Sequence, residues 1–364
     1  MVQGMVSWFR RRDGGRLFEA FQIEVTSRCN LRCVMCPVTV LAERWPAVDL
    51  AWETFERIAV AFGKTKWVHL QGWGEPLLHR RILDMIALAK GAGCRVSFTT
   101  NATRLTLKAG ERLLDLGLDI LAVSIAGATP GTHEAIRVGS NFEKLLENLQ
   151  RFRALRAQRK TDKPKVEILF LMTRTNLAEL PAAVELAAKL GADELVATNL
   201  DYVIAPPLDE LRAYAFSPPA RAYREVMEEA RVLAQRAGIG FRSYPLEPGE
   251  MAVCDLNPLK ILFISADGWV SPCVYTALTG QAEIPRFFDD RPVQIPPVRF
   301  GNVNEHDLME IWESPAYRAF RRQFAERLLG KTKMAFSVVG GERVSAEEAP
   351  APEPCRTCPK LYGF

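Results

Sequence analysis

From Phe21 onward, short apolar runs alternate with longer stretches in which apolar residues recur every three or four positions. The short runs, at 21–26, 67–71, 95–99, 120–124, 166–171 and 194–198, predict strands. The stretches between them, at 51–62, 80–90, 107–116, 142–157 and 180–190, predict amphipathic helices, with Ile82, Met85, Ile86 and Ala89 tracing one such face. Gly91, Gly117 and Gly191 stand where these helices end, in positions suited to a left-handed cap. Six strand-helix units joined by right-handed crossovers predict an α/β fold. The expected form is a partial (β/α)6 TIM barrel with its chemistry at the C-terminal ends of the strands.

Beyond residue 198 the pattern breaks. Four prolines between 205 and 219 read as a bridge, followed by a helix at 222–236. Residues 261–272 read as a hairpin turning at Asp267-Gly268, and 305–324 as helix again. The polar, proline-containing stretch 331–354 carries no period and reads as a mobile loop. The chain therefore divides into an N-terminal extension (1–20), a barrel (21–205), a bridging region (206–250) and a smaller C-terminal α+β domain (251–364).

Composition narrows the class. Of 364 residues 48% are hydrophobic and 25% charged, as in ordinary globular proteins. No apolar run is long enough to span a bilayer, and no signal-peptide core follows Arg10, Arg11 and Arg12, so a cytoplasmic location is expected. A net charge of +4, spread over helices with acidic neighbours, does not favour nucleic acid as a partner. Arg10–Arg12 with Trp8 and Phe9 read as a solvated extension.

The eight cysteines change the picture, because closely spaced thiols in a reducing compartment point to metal or redox chemistry. Cys29, Cys33 and Cys36 sit on the loop leaving the first strand, where three thiolates can hold an iron-sulfur cluster and leave one iron without a protein ligand. A zinc site lacking one ligand is the alternative. Cys254, Cys273, Cys355 and Cys358 form a second group, suited to a cluster or to tetrahedral zinc. Cys94, at the start of a strand, reads as a packed thiol.

The Cys29-x-x-x-Cys33-x-x-Cys36 spacing, placed after the first strand of a partial barrel, resembles the radical S-adenosylmethionine (SAM) superfamily. The turn Gly72-Trp73-Gly74-Glu75-Pro76 is similar to the family's turn that cradles the SAM amino group, implying roles for Gly72, Gly74 and Glu75. Thr100 and Asn101 after the third strand, and Ser124 in the fourth, match positions that line SAM in the family. Arg137 resembles the arginine that pairs with the SAM carboxylate, a task suited to a guanidinium fork. There are departures. Met35 stands where an aromatic residue is common, Ala126 where an aspartate is frequent, and residues 167–173 lack the usual adenine-contact pattern.

The second cysteine group resembles the SPASM and twitch extensions, which implies an auxiliary [4Fe-4S] cluster. Too few cysteines remain for a second auxiliary cluster, so the shorter twitch form is expected. The resemblance implies an enzyme that reductively cleaves SAM to a 5'-deoxyadenosyl radical and takes hydrogen from a peptide, protein or small metabolite. A ferredoxin or flavodoxin would be the electron donor. No leader-binding domain precedes Phe21, which weakens the peptide reading, and no acid or base is identified. His69, Gln71, Arg174, Asn199, Asp201 and Tyr202 are polar candidates near the strand tips. A non-catalytic iron-sulfur or zinc scaffold, or an electron carrier, is the competing class. It predicts that SAM is not cleaved.

Overall fold

The structure, a computed structural model, describes residues 15–215, 221–340 and 349–364. Six strands lie side by side and parallel in chain order: β1 (Phe18–Ile23), β2 (Thr65–His69), β3 (Arg95–Thr100), β4 (Ile120–Ile125), β5 (Lys165–Met172) and β6 (Glu194–Asn199). The helices α1 (Trp52–Ala59), α2 (Ile82–Gly91), α3 (Leu107–Asp115), α4 (Pro130–Ile136), α5 (Phe142–Gln158) and α6 (Leu180–Lys189) connect them. Side-chain caps start several helices: Thr106 accepts from the Ala109 amide at 3.2 Å, and Asn141 from that of Lys144 at 2.7 Å.

Alternation along the strands sets the two faces of the sheet. Phe21, Ile23, Val68, Phe98, Val123, Ile168 and Leu195 pack with helix residues such as Phe55, Met85, Leu113, Leu149 and Val184 in the main core. On the opposite face the intervening positions are mixed: Ala20, Trp67 and Ile120 form an apolar cluster, and Gln22, His69 and Ser97 form a polar row across β1, β2 and β3. The polar row faces away from the helices, into the barrel's interior.

Two additions extend the six predicted strands. Within the 206–250 region, α7 (Arg221–Ala237) leads into β7 (Gly240–Ser243), which pairs parallel with β6 as a seventh barrel strand. Its sequence, Gly-Phe-Arg-Ser, is too short to show a period. On the opposite side, β8 (Ile261–Ile264) pairs parallel with β1, and β9 (Trp269–Ser271) folds back on β8 as predicted. Gly268 takes the left-handed conformation in that turn, at φ 86°. The cysteine-bearing C-terminal segment thus continues the barrel's own sheet.

A separate hairpin of β10 (Ile284–Phe288) and β11 (Arg291–Ile295) follows, and β12 (Gly301–Asn302) completes the main sheet beside β9. Helices α8 (Leu308–Glu313) and α9 (Pro315–Gly340) come next.

Three expectations are corrected. The first strand begins at Phe18, inside the stretch read as an extension. Helix α9 runs to Gly340, so the start of the stretch read as a loop is helical; residues 341–348 lie outside the described residues, as do Trp8, Phe9 and Arg10–Arg12. Gly91 belongs to α2, and the left-handed residue after that helix is Gly93, at φ 74°. Gly117 and Gly191 are left-handed as expected.

Candidate functional site

The chain leaving β1 is pinned before it reaches the first cysteine. The Ser27 amide donates to Val48 O at 2.9 Å, its hydroxyl to Pro46 O at 2.6 Å, and Trp45 Nε1 donates to Ser27 O at 2.9 Å. Cys33 pairs antiparallel with Arg137, and Cys36 opens the short helix Pro37–Val40. Leu31, Cys33 and Met35 pack against Ala126 and Leu200, residues just beyond β4 and β6, and Cys29, Cys36 and Leu171 join the same cluster. The three thiols therefore lie at the C-terminal mouth of the barrel.

Burial raises the Cys29 thiol and pushes Cys36 up to about 12, with the neighbouring thiols adding to both. A cationic metal core is what would draw such thiols into thiolates.

Glu75 is almost wholly buried and accepts from Thr100 Oγ1 at 2.7 Å, the Asn101 amide at 2.7 Å and the Leu77 amide at 3.1 Å. Burial raises its carboxyl while these bonds oppose the shift. It locks the 72–76 turn onto the exit of β3. Asn101 Nδ2 donates to Asn30 Oδ1 at 3.1 Å and lies 3.9 Å from Cys29 Sγ, tying the cysteine loop to the same exit. Arg137 Nη1 lies 3.9 Å from Cys33 Sγ, and its buried Nε has no partner. Ser124 is half-buried near the end of β4. All seven residues predicted to contact SAM thus belong to the mouth of the barrel or its flanking turns.

The glycines of the turn also meet a demand from within the fold. A Cβ on Gly72 would meet the Glu24 side chain at 2.3 Å, and one on Gly74 the Thr26 carbonyl at 2.1 Å. Close approach to the chain leaving β1 requires them.

Sequence reading missed Glu24, whose fully buried carboxylate accepts from the Trp73 amide at 2.9 Å, the Ala266 amide at 3.2 Å and the Thr279 hydroxyl. It fastens the 72–76 turn, the β8-β9 turn and the segment after Cys273 together. The only signal was a charge on the interior-facing alternation of an apolar strand.

Glu24→Ala strands these buried donors and is expected to lower unfolding stability by about 3 kcal/mol or more, read by urea denaturation. Burial raises the Glu24 carboxyl above its ordinary range. Its contribution to stability is therefore full below the unfolded-state value and is lost as pH rises through the folded one. The Glu24→Gln variant is expected to lack that part of the slope.

Cys254, Cys273, Cys355 and Cys358 line one enclosed cavity with Arg286 and Lys360. Burial raises Cys254 and Cys355 strongly and Cys273 to about 11, with neighbouring thiols contributing to each. Lys360 Nζ pairs with Asp201 Oδ2 at 2.7 Å and Asp255 Oδ2 at 3.6 Å, so the segment after β6 meets the C-terminal cysteine segment directly.

Three aromatic rings, from the 72–76 turn, the segment after β6 and the segment after Cys273, pack together. Trp73 lies 5.4 Å from Tyr202 and 5.9 Å from Tyr275, which are 5.8 Å from each other. Cys94 is buried and donates to Phe62 O at 3.3 Å, apart from both groups.

The polar strand-tip candidates mostly serve the scaffold. Gln71 Oε1 accepts from Thr99, Arg174 Nε donates to Arg212 O, Asn199 Nδ2 to Pro245 O and Tyr202 OH to Pro285 O. Asp201 holds Tyr275 OH and Lys360. His69 bonds to Ser97, and burial lowers its imidazole to about 4.

The fold is thus a parallel barrel with three thiols at its mouth and four more around a neighbouring cavity. The radical SAM superfamily profile matches residues 23–187, and the SPASM profile, an iron-sulfur cluster-binding domain, matches 254–359. The tungsten-containing aldehyde ferredoxin oxidoreductase cofactor-modifying protein of Pyrococcus furiosus is 28% identical over 305 residues, 82% of each chain. The AdoMet-dependent heme synthase of Methanosarcina barkeri is 27% identical, covering 85% of each, and a PqqA peptide cyclase of a Methylobacterium species is 28% identical, covering 82% of this chain and 74% of its own. Among solved structures, Streptococcus suis SuiB bound to S-adenosylmethionine superposes with a TM-score of 0.62 at 13% identity, covering 84% of this chain and 68% of SuiB. The chain belongs to the radical SAM superfamily and carries a C-terminal SPASM domain. It is an enzyme that uses SAM and iron-sulfur clusters.

The residues present fit these groups. Three thiols would leave one iron of a four-iron cluster without a protein ligand, and Arg137 keeps a buried donor unspent beside them. Four thiols around one cavity can ligate every iron of a second cluster. The second profile is that of an iron-sulfur domain, which favours iron over zinc there. When bound, the first cluster supplies the electron that cleaves SAM to methionine and a 5'-deoxyadenosyl radical. Among the described residues no helix is long and apolar enough to cross a membrane.

Proposed function

We propose that Cys29, Cys33 and Cys36 ligate the SAM-binding cluster and that Cys254, Cys273, Cys355 and Cys358 ligate the auxiliary one. In this reading the 72–76 turn, Thr100, Asn101 and Ser124 shape the SAM pocket. Arg137 grips the methionyl carboxylate with its unspent Nε. Glu75, with three donors already on its carboxylate, orients the turn and leaves part of one oxygen for the SAM ammonium.

The reaction is an oxidative modification of a peptide or a cofactor precursor, the kinds of substrate named for the relatives above. Hydrogen abstraction leaves a substrate radical that must lose one more electron, and in this reading the auxiliary cluster accepts it. A ferredoxin or flavodoxin, present in the cytoplasm, exchanges electrons with both clusters. The observation that carries this reading is the contact of Trp73, in the turn beside the first thiol group, with Tyr275, two residues past Cys273. The 72–76 turn thus packs on the segment that follows Cys273, and Glu24 bonds to both, through the Trp73 amide and the Thr279 hydroxyl.

The test is the folded Cys355→Ala/Cys358→Ala double variant. It is expected to cleave SAM to 5'-deoxyadenosine at near the parent rate while product per deoxyadenosine falls at least about tenfold. Undiminished coupling would refute the relay.

A further inference from the structure

Two cations line the auxiliary cavity, and only one of them has a counter-charge. Lys360 is held between Asp201 and Asp255. Arg286, on β10 and 2% exposed, is bonded to two carbonyls, Nη1 to Pro354 O at 2.5 Å and Nη2 to Tyr275 O at 2.6 Å. Its Nε is buried without a partner, and among the described residues no carboxylate forms an ion pair with it. A guanidinium buried with no anion is costly, so its surroundings should supply one. Both carbonyls belong to the cysteine segments themselves: Pro354 precedes Cys355, and Tyr275 follows Cys273 by two residues.

We propose that Arg286 is the counter-ion of the auxiliary cluster and sets its reduction potential. The inference rests on the reading that these four cysteines hold a cluster. Four thiolates around an iron-sulfur core form a net-negative assembly that gains one further negative charge on reduction. A fixed guanidinium with an unspent N–H stabilises the reduced form more than the oxidised one. That raises the potential and makes the cluster a better acceptor for the substrate radical's electron. Arg286 is thus a positioning residue for electron transfer, acting through the cluster.

The test uses the full chain with Cys29, Cys33 and Cys36 replaced by alanine, so that only the auxiliary cluster reports. After anaerobic reconstitution, iron content and an EPR-monitored redox titration are measured with arginine, lysine or glutamine at position 286. Arg286→Gln is expected to retain about four irons. Its reduction equilibrium should be at least about tenfold less favourable, or about 59 mV more negative for one electron. Arg286→Lys, which keeps the charge, should lie within about threefold of the parent, under half that shift.

A glutamine variant with its irons and an unshifted midpoint overturns the proposal. If glutamine does not retain iron, lysine decides: a retained cluster at the parent midpoint supports the counter-ion role, and loss of iron there too makes Arg286 a mere clip for the cysteine segments. A parent without any four-iron signal sinks the ligand reading itself, a failure distinct from an unshifted midpoint.

Discussion

Replacing Cys29, Cys33 and Cys36 together by alanine is expected to abolish SAM cleavage and to lower reconstituted iron from about eight to about four per chain. The loss in activity should be complete, because without the first cluster there is no electron to break the carbon-sulfur bond. The fold should survive. The loop is held by Ser27, Trp45 and Asn30 with Asn101, and the thiols add a 3.5 Å contact from the Leu31 amide to Cys29 Sγ, two longer ones from Asn101 and Arg137, and a share of the apolar cluster around Leu31 and Met35. Iron analysis, deoxyadenosine assay and circular dichroism on one sample separate the outcomes. A variant that still cleaves SAM sinks the assignment of these three ligands. A folded variant that loses all its iron sinks the claim that the second group holds a cluster independently. Cys94→Ala is the control, costing at most a few kcal/mol of stability at a buried thiol and leaving the iron count unchanged.

The sequence carried the barrel's first six strands because each has an apolar face for the helices and sits between long, strongly periodic segments. It did not carry β7, whose four residues include one large apolar side chain and whose place is decided by pairing with β6. Nor could it show that β8 joins β1 in parallel, since a hairpin's outer partner is a tertiary matter. Cysteine spacing made both thiol groups legible. The charged residues around them were not: Glu24, Arg286 and Lys360 are isolated in sequence, and their meaning comes only from what the fold places opposite them. The same holds for the glycines of the 72–76 turn. Their presence was visible, but the neighbour that demands them was not.

Gly74→Ala is the second substitution expected to have a large effect, and it acts through backbone alone. Its added Cβ would sit 2.1 Å from Thr26 O and 2.7 Å from Arg28 O, both main-chain atoms of the segment that delivers Cys29. No flexible side-chain end can move aside. Gly74 does not occupy the left-handed region, so the penalty is steric and falls on two segments at once. The next residue reinforces this, since the Glu75 amide donates to Arg28 O at 2.8 Å, and a turn pushed off β1 breaks that bond too. Overpacking costs about 1–3 kcal/mol where neighbours can yield, and more is expected against fixed backbone. The chain can relieve the clash only by displacing the 72–76 turn or Cys29. Either response should cost at least about tenfold in SAM affinity even in folded protein, by the loss of about 1.4 kcal/mol. Gly91→Ala supplies the contrast: nothing lies within 4 Å of a Cβ there, the residue is helical, and a gain of about 0.5–1 kcal/mol is expected. Thermal unfolding and SAM titration of the two variants check the pair. A Gly74→Ala protein with parental SAM affinity would show that the turn's close seat on β1 does not set the cofactor site.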